Sequence, residues 1–403
     1  MIKQVRLTNF FSFRDTAISL APGATVMVGI NGSGKSNLIK AIRLLHEGIA
    51  GKDGLRELFL SWGGFDEVFF KGEGENEFPN SIGLSFWLDG PKIARYGYHF
   101  REDLRYDIRI IRKPGQANYS LREKLCMPNA RGEYLYLDFS NGKGVLNERS
   151  GEEASPTGLV RYEDKDPEEL VLRTIFDSDR YYALSTIRQA LADIAVYEYF
   201  NTTPESPMRK AAKATAEKRL LHDGRNLATI INTIKITHKP SFRRIEEMLQ
   251  EVNAHFRGFD FRFLGSSGTL ELLLDEGGLL GPVHITHLSD GTLRYLCLLV
   301  ILFNPSRGSF VCIDEPEVGL HPDMLRAVSN AIQEAAGESS MLVATHSEHI
   351  LNQFQIRDIR VFEKEAGNAT AVLDYQEEDF AGWYESFSPG HMWRAGDLGG
   401  NRF

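Results

Sequence analysis

Hydrophobic positions near the N-terminus of this chain follow two different periods. Apolar and polar residues first alternate, which predicts strands at 2–9 and 16–20, and a fully apolar strand follows at 24–28. After residue 35 the apolar positions recur at helical spacing, and Gly48 is placed to end that helix. The N-terminal part therefore predicts a strand, a loop and a helix in direct succession.

The period returns to two between about residues 65 and 139, where Gly, Pro and Asn separate short alternating segments. This texture predicts an antiparallel meander with strands at 81–88, 93–100, 106–111 and 134–139. Polar, Gly-rich residues 140–166 predict a connector. The following residues predict helices without strands, with amphipathic candidates at 183–200 and 241–256 and a basic, Ala-rich helix at 209–219.

Strands return in the last third of the chain and then alternate with helices. They are predicted at 259–264, 270–274, 283–285, 309–313 and 340–344, and helices at 293–303 and 322–335. Such alternation predicts a parallel sheet with right-handed crossovers. The predicted domains are 1–64, the N-terminal part of the core; 65–139, an antiparallel β subdomain; 140–257, a connector and helical insertion; and 258–403, the C-terminal part of the core.

The composition is that of an ordinary globular protein, with 403 residues of which 42% are hydrophobic and 25% charged. No apolar run approaches the roughly 20 residues of a membrane span, and the N-terminus has no signal-peptide pattern. We therefore expect a cytoplasmic protein without a membrane partner. Three cysteines form no C-x-x-C pair, so no structural metal is expected. The net charge of −9 means that any nucleic-acid contact must come from a local patch.

The strongest chemical signal is GINGSGKS at 29–36, which fits the phosphate-loop pattern G-x-x-x-x-G-K-[ST]. Glycines let backbone N–H groups face an anion, and the following helix N-terminus adds positive charge. Lys35 can reach the β- and γ-phosphates, and the Ser36 hydroxyl can bind Mg²⁺. The predicted ATP-binding residues here are Gly29, Asn31, Gly32, Ser33, Gly34, Lys35, Ser36 and Asn37, together with Arg14 from the preceding segment NFFSFRD.

Acidic residues follow the apolar strand predicted at 309–313. Asp314 can hold the metal, and Glu315 is placed to orient or deprotonate an attacking water. His346 follows the next predicted strand, where it could hydrogen-bond the γ-phosphate. Both positions lie at the carboxyl ends of strands, where open α/β sheets bind ligands. The predicted catalytic residues are Lys35, Glu315 and His346, and the predicted metal ligands are Ser36 and Asp314.

Two further segments have two interpretations each. Ser289, Asp290 and Gly291 precede a helix and could present donors to a phosphate, but the local pattern alone favours a simple N-cap turn. The basic stretch at 209–219 could contact a phosphate backbone, but a solvated helix face is the favoured interpretation.

Taken together, these motifs resemble an ABC-type ATPase of the RecF/SMC/OLD group. The phosphate loop resembles Walker A, 288–292 the signature motif, 312–315 Walker B, and His346 the switch histidine. More closely, the chain resembles the bacterial "predicted ATPase" family with an AAA_21-type domain, through segments at 9–15, 62–68, 223–228, 314–322 and 393–400. The resemblance implies a P-loop NTPase head with a mostly parallel α/β core, an antiparallel β lobe and a helical insertion.

The resemblance also implies that two subunits sandwich two nucleotides, with Ser289 of one reaching the γ-phosphate held by Lys35 of the other. Relatives carry a glutamine in the lobe linkage; here none lies between Gln4 and Gln116, so that role is vacant or falls to a residue within 62–67. His321 and Pro322 replace the D-loop aspartate of transporters, which argues against a transporter. Too few residues follow His346 for the Toprim domain of an OLD nuclease, so we expect no intrinsic nuclease activity.

The expected function is Mg²⁺-dependent ATP hydrolysis that drives ATP-gated homodimer closure, as a switch in bacterial DNA maintenance or anti-phage defence. The alternative is a regulatory ATPase subunit that restrains or activates a separate effector protein without touching DNA. A nucleotide-binding scaffold with negligible turnover is a third hypothesis, which Glu315 and His346 oppose. The acidic net charge leans slightly against direct DNA binding.

Overall fold

The computed structural model describes residues 1–72, 79–113, 118–129, 132–148, 158–213, 216–265, 268–380 and 387–399. Their strands are β1 (Ile2–Phe10), β2 (Phe13–Ser19), β3 (Ala24–Val28), β4 (Ser81–Leu88), β5 (Leu104–Arg112), β6 (Tyr119–Asn129), β7 (Gly132–Ser140), β8 (Lys143–Asn147), β9 (Leu159–Tyr162), β10 (Ile194–Tyr197), β11 (Ala212–Lys213), β12 (Phe256–Leu264), β13 (Thr269–Glu276), β14 (Val283–His284), β15 (Phe310–Asp314), β16 (Ser340–Thr345), β17 (Ile359–Lys364) and β18 (Thr370–Asp374). Their α-helices are α1 (Lys35–Ala50), α2 (Gly54–Ser61), α3 (Gly90–Ile93), α4 (Tyr182–Ala192), α5 (Leu227–Thr237), α6 (Lys239–Val252), α7 (Asp290–Phe303), α8 (Pro322–Ala336), α9 (Glu348–Leu351) and α10 (Pro389–Ala395).

The chain forms two compact units. The first unit comprises Met1–Ile194, Arg357–Asp379 and Leu398–Phe403, and the second comprises Ala195–Ile356 and Phe380–Asp397. Both units are therefore discontinuous in sequence. No helix among the described residues combines the length and the apolar character needed to cross a membrane.

An eight-stranded antiparallel sheet with the order β2-β1-β4-β5-β6-β7-β8-β9 lies in the first unit. Successive strand residues point to opposite faces of a sheet, and the alternating apolar residues of these strands all point to the inner face. One cross-strand row shows this clearly, since its members pair in register and are all fully buried: Phe86, Tyr106, Leu125, Leu137 and Leu146. The opposite face of the sheet carries mostly polar and charged side chains.

The first unit also contains β3, which is buried along its whole length and pairs in parallel with β17. β18 then pairs antiparallel with β17. Arg173 holds the end of α1, because its guanidinium donates to the carbonyl oxygens of Gly51 at 2.6 Å and Lys52 at 3.1 Å. The buried carboxylate of Glu123 in turn accepts hydrogen bonds from the amides of Val171 and Leu172, just before this arginine.

In the second unit, β15 and β16 form a parallel pair, and α7 is buried along most of its length. α8 is amphipathic, with its apolar side buried. A small antiparallel sheet joins β11, β13 and β12, and β14 pairs with β13. Strands alternating with helices over 310–351 confirm the predicted α/β pattern for this part of the chain.

Two of the predicted elements are wrong. The described residues within 209–219 do not form the predicted helix. A 3-10 turn, Pro207–Arg209, is followed by the short strand β11. Residues 214–215 lie outside the described residues. The reason is tertiary, because the side chain of Arg209 is buried rather than solvated. The strand predicted at 93–100 begins instead as a helical turn, because Asp89 accepts a hydrogen bond from the Lys92 amide and Pro91 occupies the first turn.

Several strands were also missed. The predicted connector at 140–166 contains β8 and β9, and the hairpin before β8 turns at Asn141 and Gly142, both with positive φ. The predicted helix at 183–200 ends at Ala192 and is followed by β10. β6 was overlooked because the charged residue Glu123 occupies one of its buried positions and breaks the apolar alternation.

Candidate nucleotide-binding site

The phosphate loop, residues 29–36, connects β3 to α1 in the first unit and is shaped by its glycines. Gly34 has a φ of 112°, and a Cβ there would lie 2.4 Å from Thr370 Oγ1 and 2.8 Å from Ser12 Oγ. Gly32 has a φ of 77° with open space around it, so conformation rather than crowding favours glycine there. α1 begins without a side-chain cap. A concave backbone at an uncapped helix N-terminus fits a phosphate group.

Lys35 is held inside this loop. Its ammonium group donates to the carbonyl oxygens of Gly29 at 2.8 Å and Ile30 at 3.2 Å, and the residue is 4% exposed. A phosphate entering the loop would therefore compete with these carbonyls for the same cation. Ser36 follows in the first turn of α1 and is exposed, so its hydroxyl is accessible to a metal ion.

A chain of hydrogen bonds that sequence analysis missed braces the loop from outside. Asn37 Nδ2 donates to Ser12 Oγ at 2.8 Å, Ser12 Oγ lies 2.8 Å from Thr370 Oγ1, and Thr370 Oγ1 donates to the Ser33 carbonyl at 2.7 Å. Since Thr370 has one hydroxyl proton and the carbonyl can only accept, the Ser12 hydroxyl must donate to Thr370. Each group in the chain therefore donates to the next, from the Asn37 amide through the Ser12 and Thr370 hydroxyls to the Ser33 carbonyl. No local signal in the sequence marks Thr370.

A cleft opens beside the loop. It is lined by residues from several parts of the first unit, namely Phe11, Ser12, Gly32, Asn37, Glu67, Phe69, Phe70, Lys71, Gly72, Lys364 and Asn368. Arg14 is exposed, and its guanidinium lies 5.8 Å from the centre of the Phe70 ring. Phe10 and Phe13 are fully buried and belong to the core.

In the second unit, Glu315 and His346 lie next to each other. Glu315 Oε1 is 3.4 Å from His346 Nε2, and the two side chains are 42% and 27% exposed. Asp314 ends β15, and the following residue, Glu315, has a φ of 49°, a strained conformation for a non-glycine residue. Its amide donates to the carbonyl of Ala344 in β16 at 2.9 Å. The turn after the strand thus brings the carboxylate toward the histidine.

Glu317 is a further member of this cluster that sequence analysis did not assign. Its Oε1 atom accepts hydrogen bonds from the Thr345 hydroxyl at 2.8 Å and from the His346 amide at 2.5 Å. Burial raises the pKa of the Glu317 carboxyl, and the nearby charge of Glu315 raises it further. Glu317 therefore fixes the backbone that carries His346.

The signature loop, residues 288–292, begins α7 in the second unit. Ser289 Oγ accepts a hydrogen bond from the Thr292 amide at 3.1 Å, which confirms the N-cap interpretation. Ser289, Asp290 and Gly291 all retain solvent exposure, so their polar groups are accessible to a ligand. The cap and an anion contact are compatible, since the cap uses one lone pair of the hydroxyl oxygen.

Arg209 anchors the signature loop and was misassigned from the sequence. It is 5% exposed and donates to the carbonyl oxygens of Leu288 at 2.8 Å and Thr286 at 3.1 Å, and to Asp290 Oδ1 at 2.6 Å. It also donates to the Thr202 carbonyl at 2.9 Å. Arg209 is therefore a buried structural cation and not part of a solvated helix face.

Inside each unit, the structure brings the expected residues together: the phosphate loop with Asn37 in the first, and Asp314, Glu315 and His346 in the second. A strand, a glycine cradle and a lysine opening a helix define a P-loop nucleotide-binding protein, and the mixed α/β architecture is that of ABC-type ATPase heads. The chain belongs to the AAA_21 family, described as "AAA domain, putative AbiEii toxin, Type IV TA system", whose sequence model matches residues 24–352.

Solved structures support this fold. The SMC head bound to the C-winged helix domain of ScpA matches 94% of this chain and 99% of its own, with a TM-score of 0.59 and 16% identity. The Pyrococcus furiosus Smc head with an extended coiled coil, bound to the C-terminal domain of ScpA, matches 95% of this chain and 98% of its own, with a TM-score of 0.55 and 14% identity. At this level of identity the likeness shows the fold alone.

Curated relatives match over shorter stretches. The DNA replication and repair protein RecF of Mesorhizobium japonicum is 53% identical over 47 residues, which cover 12% of each chain. The chromosome partition protein Smc of Myxococcus xanthus is 30% identical over 129 residues, which cover 31% of this chain and 10% of that protein. The chain thus spans 12% and 10% of the lengths of these two relatives.

Proposed function

We propose that this protein is a Mg²⁺-dependent ATPase in which ATP binding closes a homodimer and hydrolysis reopens it. The observation that carries the proposal is the phosphate loop, which has glycines where the backbone turns or crowds its neighbours and holds the Lys35 ammonium 2.8 Å from the Gly29 carbonyl. Family membership and fold, both typical of RecF- and SMC-like ATPases, support nucleotide binding.

In this proposal the loop amides and Lys35 bind the β- and γ-phosphates of ATP. Ser36 and Asp314 would hold Mg²⁺, which when bound neutralises charge on those phosphates. Glu315 accepts a proton from water while the water oxygen forms a bond to the γ-phosphorus, and the bond from that phosphorus to the bridging oxygen breaks. His346 hydrogen-bonds the γ-phosphate beside it. The 3.4 Å approach of Glu315 to His346 supports a shared role.

Dimer closure is proposed to use Ser289 of one subunit at the γ-phosphate of the other. Its support is the exposure of Ser289 at the start of α7 and the anchoring of the same loop by Arg209. ATP would favour the closed dimer only through contacts that ADP cannot make. Closure of the dimer in this proposal thus requires an intact γ-phosphate.

The setting we propose is a cytoplasmic switch in bacterial DNA maintenance or anti-phage defence. The RecF match supports a role on DNA. The alternative is a regulatory subunit that restrains or activates a separate effector protein, which the family description "putative AbiEii toxin, Type IV TA system" favours. The solved SMC heads bound to ScpA domains offer a precedent for a protein partner.

ATP turnover by Glu315→Gln tests the catalytic assignment. We expect hydrolysis to fall by about 100-fold or more, because the general base is lost, while nucleotide affinity is kept and an ATP-bound dimer accumulates in light scattering. Glu251→Gln makes the same chemical change at an exposed carboxylate of the second unit and should turn over ATP normally. Turnover at the wild-type rate by Glu315→Gln would remove the assignment of the base.

A further inference from the structure

The outer face of the antiparallel sheet in the first unit carries a row of cations. Arg109 of β5 lies directly opposite Arg122 of β6. Arg122 pairs with Ser140 of β7, which pairs with Lys143 of β8. All three cationic residues are exposed. We call Arg109, Arg122 and Lys143 the basic row.

Other cations on this face have acidic partners. Arg6 donates to Asp15 at 2.6 Å, Arg105 donates to Asp107 at 3.0 Å, and Lys124 pairs with Glu133. Among the described residues, by contrast, no carboxylate lies within ion-pair distance of any member of the basic row. The row is therefore a local positive strip on a chain whose net charge is −9.

Like charges placed directly opposite on neighbouring strands destabilise a sheet. The basic row contributes nothing to the core, since its side chains lie on the face opposite the buried row of Phe86 and Tyr106. A polyanion bound across the strands would offset this repulsion. Resting on the proposed role in DNA maintenance, we propose that the basic row binds the phosphate backbone of duplex DNA.

The geometry suits a phosphate backbone. Neighbouring strands lie about 4.8 Å apart, so the row presents three cations over about 15 Å, while a DNA duplex carries one negative charge per about 1.7 Å of its axis. Arginine presents paired N–H groups that match phosphate oxygens. Contacts of this kind are independent of base sequence.

An acidic protein is the competing ligand, and the face fits it less well. Protein interfaces are centred on large apolar or aromatic anchors. Among the described residues of β5 to β8, Tyr134 is the one large hydrophobic side chain that is exposed, at 42%. Its hydroxyl accepts a hydrogen bond from the Asn147 side chain. On sequence grounds, the stretch at 209–219 was a possible contact for a phosphate backbone. Arg209 instead hydrogen-bonds the signature loop, so the basic row takes its place as the proposed contact.

The test compares full-length Arg109→Ala/Arg122→Ala with wild type in binding to a labelled duplex of about 30 base pairs, across a series of salt concentrations. Loss of two phosphate contacts should reduce the slope of log affinity against log salt by about 2 and weaken binding by at least about tenfold near 0.1 M salt. The control, Lys239→Ala/Arg243→Ala, removes two exposed cations from α6 and should keep the wild-type slope.

Arg109→Ala/Arg122→Ala should unfold at the wild-type temperature or slightly above it, since a like-charge pair is removed, and the control should unfold at the wild-type temperature. ATP turnover without DNA should be unchanged in both variants, so a failure of DNA binding is distinguishable from a failure of the proposed ATPase. Wild-type affinity and slope in Arg109→Ala/Arg122→Ala would overturn the proposal, as would an equal loss in the control. Wild-type protein that binds no duplex would overturn it as well, and binding to polyglutamate in that case would identify an acidic protein as the ligand.

Discussion

Replacing Arg209 by alanine should destabilise the second unit and disorder the signature loop. The residue is 5% exposed, and its guanidinium donates through Nε to the Thr202 carbonyl at 2.9 Å. The two protons of Nη1 are shared among the carbonyls of Ile285, Thr286 and Leu288 at 2.8–3.3 Å, so the equivalent of about three full bonds to the backbone is made. Each such bond contributes about 1 kcal/mol net. Asp290 is 63% exposed, so its ion pair adds no more than about 1 kcal/mol.

The expected loss is therefore about 3 to 5 kcal/mol in the free energy of unfolding, allowing water to reach some of the vacated carbonyls. That is a large share of the roughly 5 to 15 kcal/mol typical of a folded domain. Arg209→Lys should recover part of it, because an ammonium group can reach only some of these acceptors. Chemical denaturation measures the stability, and light scattering with ATP measures dimer formation.

Lys210→Ala is a matched control, since it removes the same charge from the next residue, which is exposed. It should change the free energy of unfolding by less than about 0.5 kcal/mol. If Arg209→Ala unfolds at the same denaturant concentration as Lys210→Ala and still dimerises with ATP, the anchoring role of Arg209 is refuted.

Three further predictions concern other buried and exposed groups. Thr370→Val should weaken ATP binding by about tenfold, because the Ser33 carbonyl loses its donor; Thr370→Ser should retain the affinity, and a nucleotide titration that finds all three proteins equal would contradict the bracing role. Burial raises the pKa of Glu123 from 4.5 to about 7, so the folded state binds the proton more tightly than the unfolded state. The free energy of unfolding should therefore fall by roughly 3 kcal/mol between about pH 4.5 and 7; Glu123→Gln should flatten this part of the profile in denaturation series, and a slope that persists in the variant would assign it to other groups. Ser289→Arg should bind ATP normally but fail to dimerise, because the bulky cation replaces the small donor at the subunit contact; undiminished ATP-dependent dimers in light scattering would count against the shared site.

Local sequence patterns predicted an element correctly wherever the residues that determine its conformation lie within that element. The strands at 24–28 and 81–88 match the prediction residue for residue, because their apolar periods are unbroken. The phosphate loop likewise carries its glycines, lysine and serine in one short run. The carboxylate and histidine of the second unit each follow a strand whose position was predicted to within one or two residues.

Elements that depend on distant partners were not predictable in this way. β6 has a buried carboxylate in its inward-facing series, which is stable only because Tyr106 and the amides of Val171 and Leu172 hydrogen-bond it. The stretch after Arg209 has strong helix formers, yet the arginine side chain is drawn to carbonyls near residue 288. In both cases a contact across many residues outweighed the local propensity.

The hydrogen bond between Ser12 and Thr370 joins residues 358 positions apart. During translation, the glycine loop leaves the ribosome long before β18 has been synthesised. A nascent chain therefore carries the nucleotide-binding motif without the hydroxyl that braces it from outside. The finished cradle becomes available only near the end of synthesis, so translation itself delays the moment at which the protein can take up its nucleotide in the braced form.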